Sequence, residues 1–271
     1  MDGPVYFISD AHLGSSGNPD DDAPRLARLI PFLRAVAESR AERLYILGDL
    51  FDFWFEYLHV MPRRHVRILE EIRRVVDGGV PVTFLGGNHD WWAGATFRDF
   101  AGMEVRRQSF SVAHQGKRLF LAHGDGLSSG ADSGYLILKS VLRNPLVVRV
   151  LRTVHPDLAY SFGHRLSRFS RNHLTSRRFA VLPALATAVD AALSRGHDAF
   201  LMGHLHARHQ ETRPRGGQLF ILGDWMSIFS ALRLEDGRFA WEDWSSGARV
   251  DVPPEDAART ITGGHGDERP R

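Results

Sequence analysis

The sequence contains no cysteine among its 271 residues. This absence excludes disulfide cross-links, cysteine-ligated zinc or iron–sulfur sites, and a thiolate nucleophile. A strong charge of one sign is also missing, because 34 Lys and Arg residues against 32 Asp and Glu residues leave a formal net charge of +2. The chain as a whole therefore lacks the basic excess that is typical of nucleic-acid binding.

Long apolar runs are missing as well. No stretch approaches the ~20 uninterrupted apolar residues that a membrane span needs. The first residues, Met1 to Pro4, show no basic segment followed by a long apolar one, so we expect no signal peptide and a cytoplasmic location. A hydrophobic content of 43% indicates a globular protein and excludes wholesale disorder.

The first hundred residues alternate between strand-like and helix-like segments. Short apolar runs at 5–9, 44–47 and 80–85 predict buried strands. Between them, apolar residues recur at helical spacing from Leu26 to Val36 and from Val66 to Val76. This alternation is typical of a sheet with crossover helices, so we expect an α/β fold.

After residue 104 the pattern changes to short strands that we expect to pair as hairpins. The predicted strands cover residues 109–113, 118–122, 199–202, 218–222, 228–234 and 239–244. Residues 253–271 are rich in glycine, proline and charge without periodicity, which predicts a disordered tail. The sheet core is therefore expected to comprise residues 1–126 and 197–252.

Residues 127–196, which we call the cap, interrupt this sheet protein with a predicted helical insertion. The expected helices lie around residues 135–142, 146–154, 158–170 and 178–193. Ten Lys and Arg residues against three Asp residues make the cap basic, and its helices are rich in aliphatic side chains. Such a cap suits an anionic ligand with acyl chains. The alternatives are a solvated, arginine-rich face and aliphatic side chains that only pack the cap onto the core.

Five polar motifs stand where predicted strands end. They are Asp10-Ala11-His12, Gly48-Asp49-Leu50-Phe51-Asp52, Gly87-Asn88-His89-Asp90, His123-Gly124-Asp125 and Gly203-His204-Leu205-His206. Residues i and i+2 of an extended chain face the same side, so Asp10 and His12 are expected to project together, as are His204 and His206. Each motif alone is compatible with an ordinary turn, helix cap or surface pair. Their combination predicts a metal site.

The motifs supply carboxylate oxygen, amide oxygen and imidazole nitrogen at the strand ends, where α/β sheets bind ligands. Mixed oxygen and nitrogen ligation without sulfur suits Mn²⁺, Fe²⁺ or Zn²⁺. About seven candidate ligands are too many for one tetrahedral ion and fit two ions that share a carboxylate. We therefore expect two divalent ions per chain, with Mn²⁺ favoured.

In this order the motifs resemble the signature of the calcineurin-like metallophosphoesterase superfamily, D-x-H, G-D-x-x-D, G-N-H-[DE], H and G-H-x-H, over roughly residues 5–225. The resemblance implies a two-sheet sandwich flanked by helices and metal-dependent hydrolysis of a phosphoester or pyrophosphate bond. It implies that the metal ligands are Asp10, His12, Asp49, Asn88, His123, His204 and His206. Asp49 would bridge the two ions, His89 would act on the reacting phosphate, and Asp90 would orient His89.

The segment 48–54 and the start of the cap resemble one branch, the UDP-2,3-diacylglucosamine pyrophosphohydrolases of lipid A synthesis. The resemblance implies that UMP and 2,3-diacylglucosamine 1-phosphate are the products. It also implies substrate contacts by Asn88, Asp132, Tyr135, Arg168 and Arg171. The best-known members carry G-N-R-D where this chain has His89, which leaves the exact substrate open. The cap could also contact the inner membrane peripherally.

Two other interpretations stay open at this stage. A nuclease or broader phosphodiesterase would use the same metal ligands, although the basic charge is confined to the cap. A non-catalytic binding scaffold would keep the fold without turnover. The aromatic residues at 51–55 and 91–92 could stack on a uracil, support the cap or fill the core. The nine histidines outside the motifs are expected to be surface or packed residues.

Overall fold

Two β-sheets and five α-helices make up most of the regular structure of the described residues, which a computed structural model gives as 3–16, 18–127, 139–175, 182–214 and 216–252. The strands are β1 (Val5–Ile8), β2 (Arg43–Ile46), β3 (Val82–Leu85), β4 (Glu104–Arg106), β5 (Phe110–His114), β6 (Lys117–Ala122), β7 (Ala199–Met202), β8 (Arg208–Thr212), β9 (Gln218–Leu222), β10 (Ser230–Glu235), β11 (Arg238–Asp243) and β12 (Val250–Val252). The helices are α1 (Ala23–Glu38), α2 (Val66–Asp77), α3 (Pro145–Leu151), α4 (Pro156–Thr175) and α5 (Leu182–Leu193).

The strand order explains how the sheets are built. The first sheet runs β12-β11-β10-β1-β2-β3-β4, and the second runs β5-β6-β7-β9-β8. Strands β1, β2, β3 and β4 are parallel neighbours, as are β6, β7 and β9. Parallel strands need crossover connections, which α1 and α2 provide in the first sheet. The predicted α/β class and two-sheet architecture are thus confirmed.

Alternating side chains on β1 join the layers. Val5 and Phe7 belong to the apolar cluster between the two sheets, whereas Tyr6 and Ile8 belong to the cluster under α1 and α2. Successive side chains of a strand point to opposite faces, so one apolar run serves both cores. A third cluster packs α5 against the outer face of the second sheet through Leu185. The result is a sandwich with helices on both outer faces.

Three strands, β4, β8 and β12, were not predicted from the sequence. Each lies at an edge of its sheet. An edge strand buries few side chains and is often short and polar, so it carries little of the hydrophobic pattern on which the prediction depends. The sequence Glu104-Val105-Arg106 of β4 is an example.

Most of the predicted helices in the cap are present with shifted ends. Helix α3 ends at Leu151 rather than 154, and α4 extends to Thr175 rather than 170. The predicted helix at 135–142 is described only from residue 139, and 139–142 are helical. Residues 132, 135 and 253–271 lie outside the described residues, so the expected tail does as well. Within the part of the chain that the structure describes, no helix is long and apolar enough to cross a membrane.

Replacing Phe7 with alanine should destabilise the sandwich strongly. The ring is fully buried and stacks on Tyr45 with ring centres 5.3 Å apart. We expect Phe7→Ala to lower the free energy of unfolding by about 3–5 kcal/mol, because it leaves a cavity between the sheets. Urea denaturation of metal-stripped protein measures this change. The matched control Val250→Ala, at a side chain that is 54% exposed, should stay within about 0.5 kcal/mol of the parent. Equal losses in the two variants would contradict this account of the core.

Candidate metal centre

The polar motifs follow five strands that end at one side of the sandwich. Motif residues come directly after β1, β2 and β3 of the first sheet and after β6 and β7 of the second. Backbone hydrogen bonds fix neighbouring loops to one another, such as Asp10 N–H to the carbonyl of Gly48 at 3.1 Å. The amide of His204 donates to Asp10 Oδ2 at 2.8 Å. This last bond ties the two sheets together at the site.

The backbone of the candidate ligands differs from the prediction. Five of them have φ angles between 44° and 70°, in the left-handed region: Asp10, His12, Asp49, His204 and His206. The extended backbone assumed for the i and i+2 pairs is therefore wrong, although Asp10 and His12 do project into one cluster. Left-handed backbone is rare and strained for residues other than glycine, and it concentrates at functional sites. Here it turns each side chain inward over the end of its strand.

Two glycines are required by the close approach of these loops. A Cβ atom at Gly87 would collide with the Asp49 carboxylate, and one at Gly203 would collide with the carboxylate of Asp10. Both carboxylates therefore occupy space that any other residue would fill. The glycines in the motifs are needed for packing around the ligands as much as for tight turns.

Asp10, His12 and His206 form the first cluster of candidate ligands. His12 Nε2 and His206 Nε2 lie 3.2 Å apart, and each lies 3.7 Å from Asp10 Oδ1. Asp10 and His12 are completely buried. Three ligand atoms thus converge on one point, as a metal site requires.

Asp49, His123 and His204 form the second cluster. Asp49 Oδ2 lies 3.3 Å from His123 Nε2 and 3.6 Å from Nε2 of His12, so one carboxylate oxygen faces both clusters. Asn88 Oδ1 lies 3.0 Å from His123 Nε2 and joins the same group. All seven ligands expected from the sequence are therefore brought together.

The buried polar atoms fit a divalent cation. Asp10 Oδ1 is buried and makes no hydrogen bond within the described residues. A bare carboxylate oxygen in a protein interior is costly unless a hydrogen bond or a cation compensates it. The surrounding donors are carboxylate, amide and imidazole, which suits first-row divalent metals. This donor set fits the expected metals.

The ionisation of most ligands already suits metal binding. Burial lowers the pKa of His204 to about 4 and that of His206 to about 3, so both rings are neutral at pH 7. Burial raises the pKa of Asp49, but the neighbouring His123 and His89 outweigh it and hold the pKa well below its usual range. Metal ligands must be neutral imidazoles and charged carboxylates. These three side chains meet that requirement without losing a proton.

His123 is the exception in the metal-free protein. Burial alone would lower its pKa, but Asp49, with Asp10 and Asp125 behind it, raises it to about 10. Its Nδ1–H donates to the carbonyl of Leu47 at 2.8 Å, which leaves Nε2 as the ligand atom. That nitrogen carries a proton until a metal replaces it.

His89 is held through one ring nitrogen. Its Nδ1–H donates to the carbonyl of Asp52 at 2.8 Å, and Nε2 lies 3.8 Å from Asp49 Oδ2. Nε2 is therefore the atom available to a ligand. Burial lowers the pKa of His89 to about 4. Fixing one nitrogen by a backbone carbonyl sets the ring orientation.

Asp90 has a different role from the expected one. Its Oδ1 accepts hydrogen bonds from the amides of Gly87 at 2.9 Å and Asp49 at 3.1 Å, and its Oδ2 accepts from the amide of Phe51 at 3.2 Å. The carboxylate thus fastens the loop after β3 to the loop after β2. The prediction that Asp90 orients His89 is corrected accordingly, because the carbonyl of Asp52 orients that ring.

Asp52 contacts a candidate ligand, and Asp125 contacts the cap. Asp52 Oδ1 lies 3.5 Å from Nδ1 of His12, on the side of the ring away from the cluster. Asp125 Oδ2 contacts Lys139 Nζ at 2.5 Å and Arg143 at 3.2 Å, which connects the core to the cap. Carboxylates behind a ligating histidine orient the ring and increase its basicity.

Two residues of α4 reach the metal centre and were missed in the sequence. Ser167 Oγ lies 2.9 Å from Nδ1 of His89 and is buried. His164 Nδ1 lies 3.4 Å from Asp52 Oδ2, although the sequence predicted only a surface or packed residue there. Their i, i+3 spacing places both on one helix face, and this is the signal that could have found them. The side chains of Arg168 and Arg171, expected to bind substrate, are outside the described part of the structure.

The aromatic residues divide between core and cap. Phe51 and Trp54 are buried in the core under the first sheet. Phe53 packs edge-on against Tyr160 of α4, with ring centres 5.2 Å apart. Trp92 Nε1–H donates to the carbonyl of Leu142 at 3.0 Å. Of the three roles considered, core packing and cap support are observed.

The sequence profile of calcineurin-like phosphoesterases matches residues 3–208, which include every residue of the two ligand clusters. The chain belongs to this family. It is therefore a metal-dependent hydrolase of phosphoester bonds, as the motifs predicted.

Individual relatives in this family cover most of the chain. A UDP-2,3-diacylglucosamine hydrolase of Porphyromonas gingivalis is 30% identical over 238 residues, which are 82% of this chain and 90% of the relative. One of Neisseria gonorrhoeae is 32% identical over 260 residues, 93% of this chain and 99% of the relative. Among solved structures, a double mutant of Vps29 from Entamoeba histolytica aligns with a TM-score of 0.47 and 11% identity, covering 92% of this chain and 99% of that one.

Metal binding should release a proton from His123. With its pKa raised to about 10, the ring is protonated at pH 7, and coordination through Nε2 requires the neutral form. We expect about one proton released per chain, and metal affinity that rises about tenfold per pH unit between about pH 7 and 9. Calorimetric titration with Mn²⁺ in two buffers of different ionisation heat measures the release.

The variant Asp49→Asn tests, in metal-free protein, whether the charge of Asp49 raises the pKa of His123. Removing the charge of this carboxylate should bring the pKa of His123 down, so its ring should be neutral at pH 8 in the variant and protonated in the parent. The ring nitrogens report both states by NMR in metal-free protein. A His123 pKa that Asp49→Asn does not change would contradict the assignment.

Proposed function

We propose that the protein hydrolyses UDP-2,3-diacylglucosamine to UMP and 2,3-diacylglucosamine 1-phosphate in lipid A synthesis, using two divalent ions with Mn²⁺ favoured. The observation that carries the proposal is the gathering of the seven candidate ligands around Asp49, in a chain whose predicted cap is basic and rich in apolar residues. Relatives that bear this activity in their names align over 90% or more of their length. The ligand set thus supports the hydrolytic chemistry, and the names of the relatives support the substrate class.

The roles of the residues follow from their positions. Divalent ions held here would supply water activated at neutral pH and would neutralise charge on the phosphate. Asp49 sets the spacing of the two clusters, because a single oxygen faces both. His89, fixed at Nδ1, presents Nε2 to phosphate oxygens or to the leaving group. Asn88 contributes its amide both as a ligand and as a contact to substrate.

The cap would bind the acylated part of the substrate. Pairs of aliphatic or aromatic residues four positions apart stand exposed on α3 and α4: Leu146, Val150, Leu158 and Phe162. Residues four apart share a helix face, so each helix offers an apolar stripe. Such stripes suit acyl chains, and they also suit peripheral contact with the cytoplasmic face of the inner membrane. Asp132, Tyr135, Arg168 and Arg171 remain the proposed contacts to the nucleotide sugar.

A broader phosphodiesterase or nucleotide pyrophosphatase is the second candidate. The observation that favours it is His89 itself, which is neutral at pH 7 and stands where the best-known lipid A enzymes carry arginine. A neutral imidazole binds phosphate less strongly than a guanidinium, which forms bidentate hydrogen bonds to it. The substrate range could accordingly be wider. A nuclease is less well supported, since the chain is nearly neutral overall.

Phosphorus NMR in ¹⁸O-enriched water tests the proposed reaction directly. The Mn²⁺-loaded enzyme should convert UDP-2,3-diacylglucosamine to UMP and 2,3-diacylglucosamine 1-phosphate. The label should appear in one product only and identify the phosphorus that is attacked. After the reaction is quenched, the metal is removed with a chelator so that paramagnetic Mn²⁺ does not broaden the signals. No turnover, with hydrolysis of bis(p-nitrophenyl) phosphate intact, would favour the broader phosphodiesterase.

Removing the Ser167 hydroxyl should slow turnover more than it weakens substrate binding. Ser167 contacts the same ring nitrogen that donates to the carbonyl of Asp52, so Ser167→Ala removes one of the two contacts that hold the His89 ring. We expect kcat for bis(p-nitrophenyl) phosphate to fall about tenfold, as for a lost hydrogen bond to a catalytic group, with KM little changed.

The conservative variant Ser167→Thr keeps the hydroxyl and should restore most of the rate. Ser194→Ala is the matched control, because its exposed hydroxyl only donates to the carbonyl of Ala191. If Ser167→Ala leaves kcat unchanged, or if Ser167→Ala and Ser167→Thr lower it equally, Ser167 does not position His89.

A further inference from the structure

A cavity of about 490 Å³ lies at the junction of the core and the cap. Its walls include the loop at 56–61, the short π-helix Thr96–Phe100 and the residue that follows α3. None of the described metal-centre ligands lines it. The cavity is therefore separate from the site that carries the hydrolytic chemistry.

Three arginines converge on this cavity: Arg98, Arg107 and Arg152. Arg152 is held by a hydrogen bond from its Nε to the carbonyl of Glu56 at 3.1 Å. Arg107 is held by a bond to the carbonyl of Ala93 at 3.3 Å and by stacking over a tryptophan ring. Two of the three guanidinium groups are thus fixed by backbone and ring contacts, with donors left over for a ligand.

The three positive charges act on one another. Burial lowers the pKa of Arg107, and the charges of Arg98 and Arg152 lower it further, whereas Glu56 raises it. Like charges gathered in this way repel, and an anion bound between them relieves the repulsion. The cluster therefore favours an anionic ligand.

The acidic residues of the cavity cancel this charge only in part. Both carboxylate oxygens of Glu56 are occupied, because Oε1 accepts from the amide and hydroxyl of Thr96, and Oε2 accepts from Trp54 Nε1 and the amide of Gly94. Asp99 is the second acidic residue in the lining, and it is exposed to solvent. Three guanidinium groups against these two carboxylates leave the cavity positive.

The lining also includes exposed apolar side chains. Leu58 is 72% exposed, Val60 is 52% exposed and Phe100 is 36% exposed. Exposed apolar side chains beside arginines are the combination that binds at a lipid interface, where the apolar groups enter the acyl boundary and the cations meet phosphates. A free phosphate ion has no apolar surface that these side chains could contact.

We propose that the cavity walled by Arg98, Arg107 and Arg152 binds the phosphate of an anionic phospholipid headgroup, with Leu58 and Val60 inserted beside it. The inference does not depend on the proposed substrate, because it uses no residue of the metal centre. It gives the protein a membrane contact at the junction of core and cap, distinct from the apolar stripes of α3 and α4.

Vesicle flotation of the full-length, Mn²⁺-loaded protein tests the proposal. The parent should bind vesicles of phosphatidylcholine mixed with phosphatidylglycerol far better than vesicles of phosphatidylcholine alone. Each arginine near an anionic surface strengthens binding about fivefold, so the triple variant Arg98→Gln, Arg107→Gln, Arg152→Gln should lose at least tenfold. The matched control Arg118→Gln, Arg195→Gln, Arg238→Gln removes the same charge from exposed sites outside the cavity and should lose much less.

A second variant avoids any disturbance of the core–cap junction. Leu58→Ser, Val60→Ser changes only exposed side chains, so it should fold normally and still bind anionic vesicles several times more weakly. Equal losses in the two arginine triples would overturn the proposal, as would a parent that does not distinguish the two kinds of vesicle. Binding of inorganic phosphate that the cavity triple abolishes, without any binding to vesicles, would overturn the lipid as ligand and identify a free-phosphate site. Hydrolytic activity is scored separately, so a wrong substrate leaves this test intact.

Discussion

The position of one buried carboxylate, that of Asp49, is the constraint on which the rest of the site depends. One of its oxygens lies within 3.6 Å of imidazoles from both ligand clusters, and its other oxygen accepts from the amide of His89 at 3.0 Å. A carboxylate that is almost completely buried is costly unless positive charge or hydrogen bonds surround it. The loops from the two sheets have to meet around it for this reason. Asp90 also holds Asp49 in place, because its carboxylate accepts hydrogen bonds from the amides of Gly87, Asp49 and Phe51.

The backbone of the ligand residues is strained, and this strain allows their side chains to converge. Five ligand residues adopt left-handed φ angles, and each such position costs of order 1–3 kcal/mol in general. The sandwich can carry this strain because β1, β2 and β3 are buried on both faces and anchor one end of each loop. Bound metal ions stabilise the state that holds their ligands together, so metal binding and stability are coupled. The same coupling explains how an uncompensated atom such as Asp10 Oδ1 is tolerated at the centre.

The sequence predicts the parts of this protein that are local or strongly periodic. Central strands and the first two helices follow from apolar spacing, and the ligands follow from motifs at strand ends. Edge strands such as β8 could not be found in the same way, since β8 is polar and its side chains are mostly half-buried. The i, i+3 spacing of Ser167 and His164 places both on one face of α4, but what that face contacts depends on how α4 docks against segments more than 70 residues away. The prediction for the backbone of the ligands was wrong for a related reason. Tertiary packing overrides the extended conformation that was assumed for Asp10 and His12.

Hydrogen bonds hold the core and the cap together at their junction. Tyr57 donates to the carbonyl of Val154 at 3.1 Å, and Arg152 donates to the carbonyl of Glu56, so the loop at 56–61 and the end of α3 are fixed to each other. A few residues further along, α4 places Ser167 against His89. A cap that shifts on this junction would move both the exposed apolar residues of α3 and α4 and the contact to His89. For the proposed lipid substrate, a rigid junction would hold the apolar surfaces of α3 and α4 in a fixed relation to His89. The hydrogen bonds at the junction would then support the geometry of the reaction although they lie outside the metal centre.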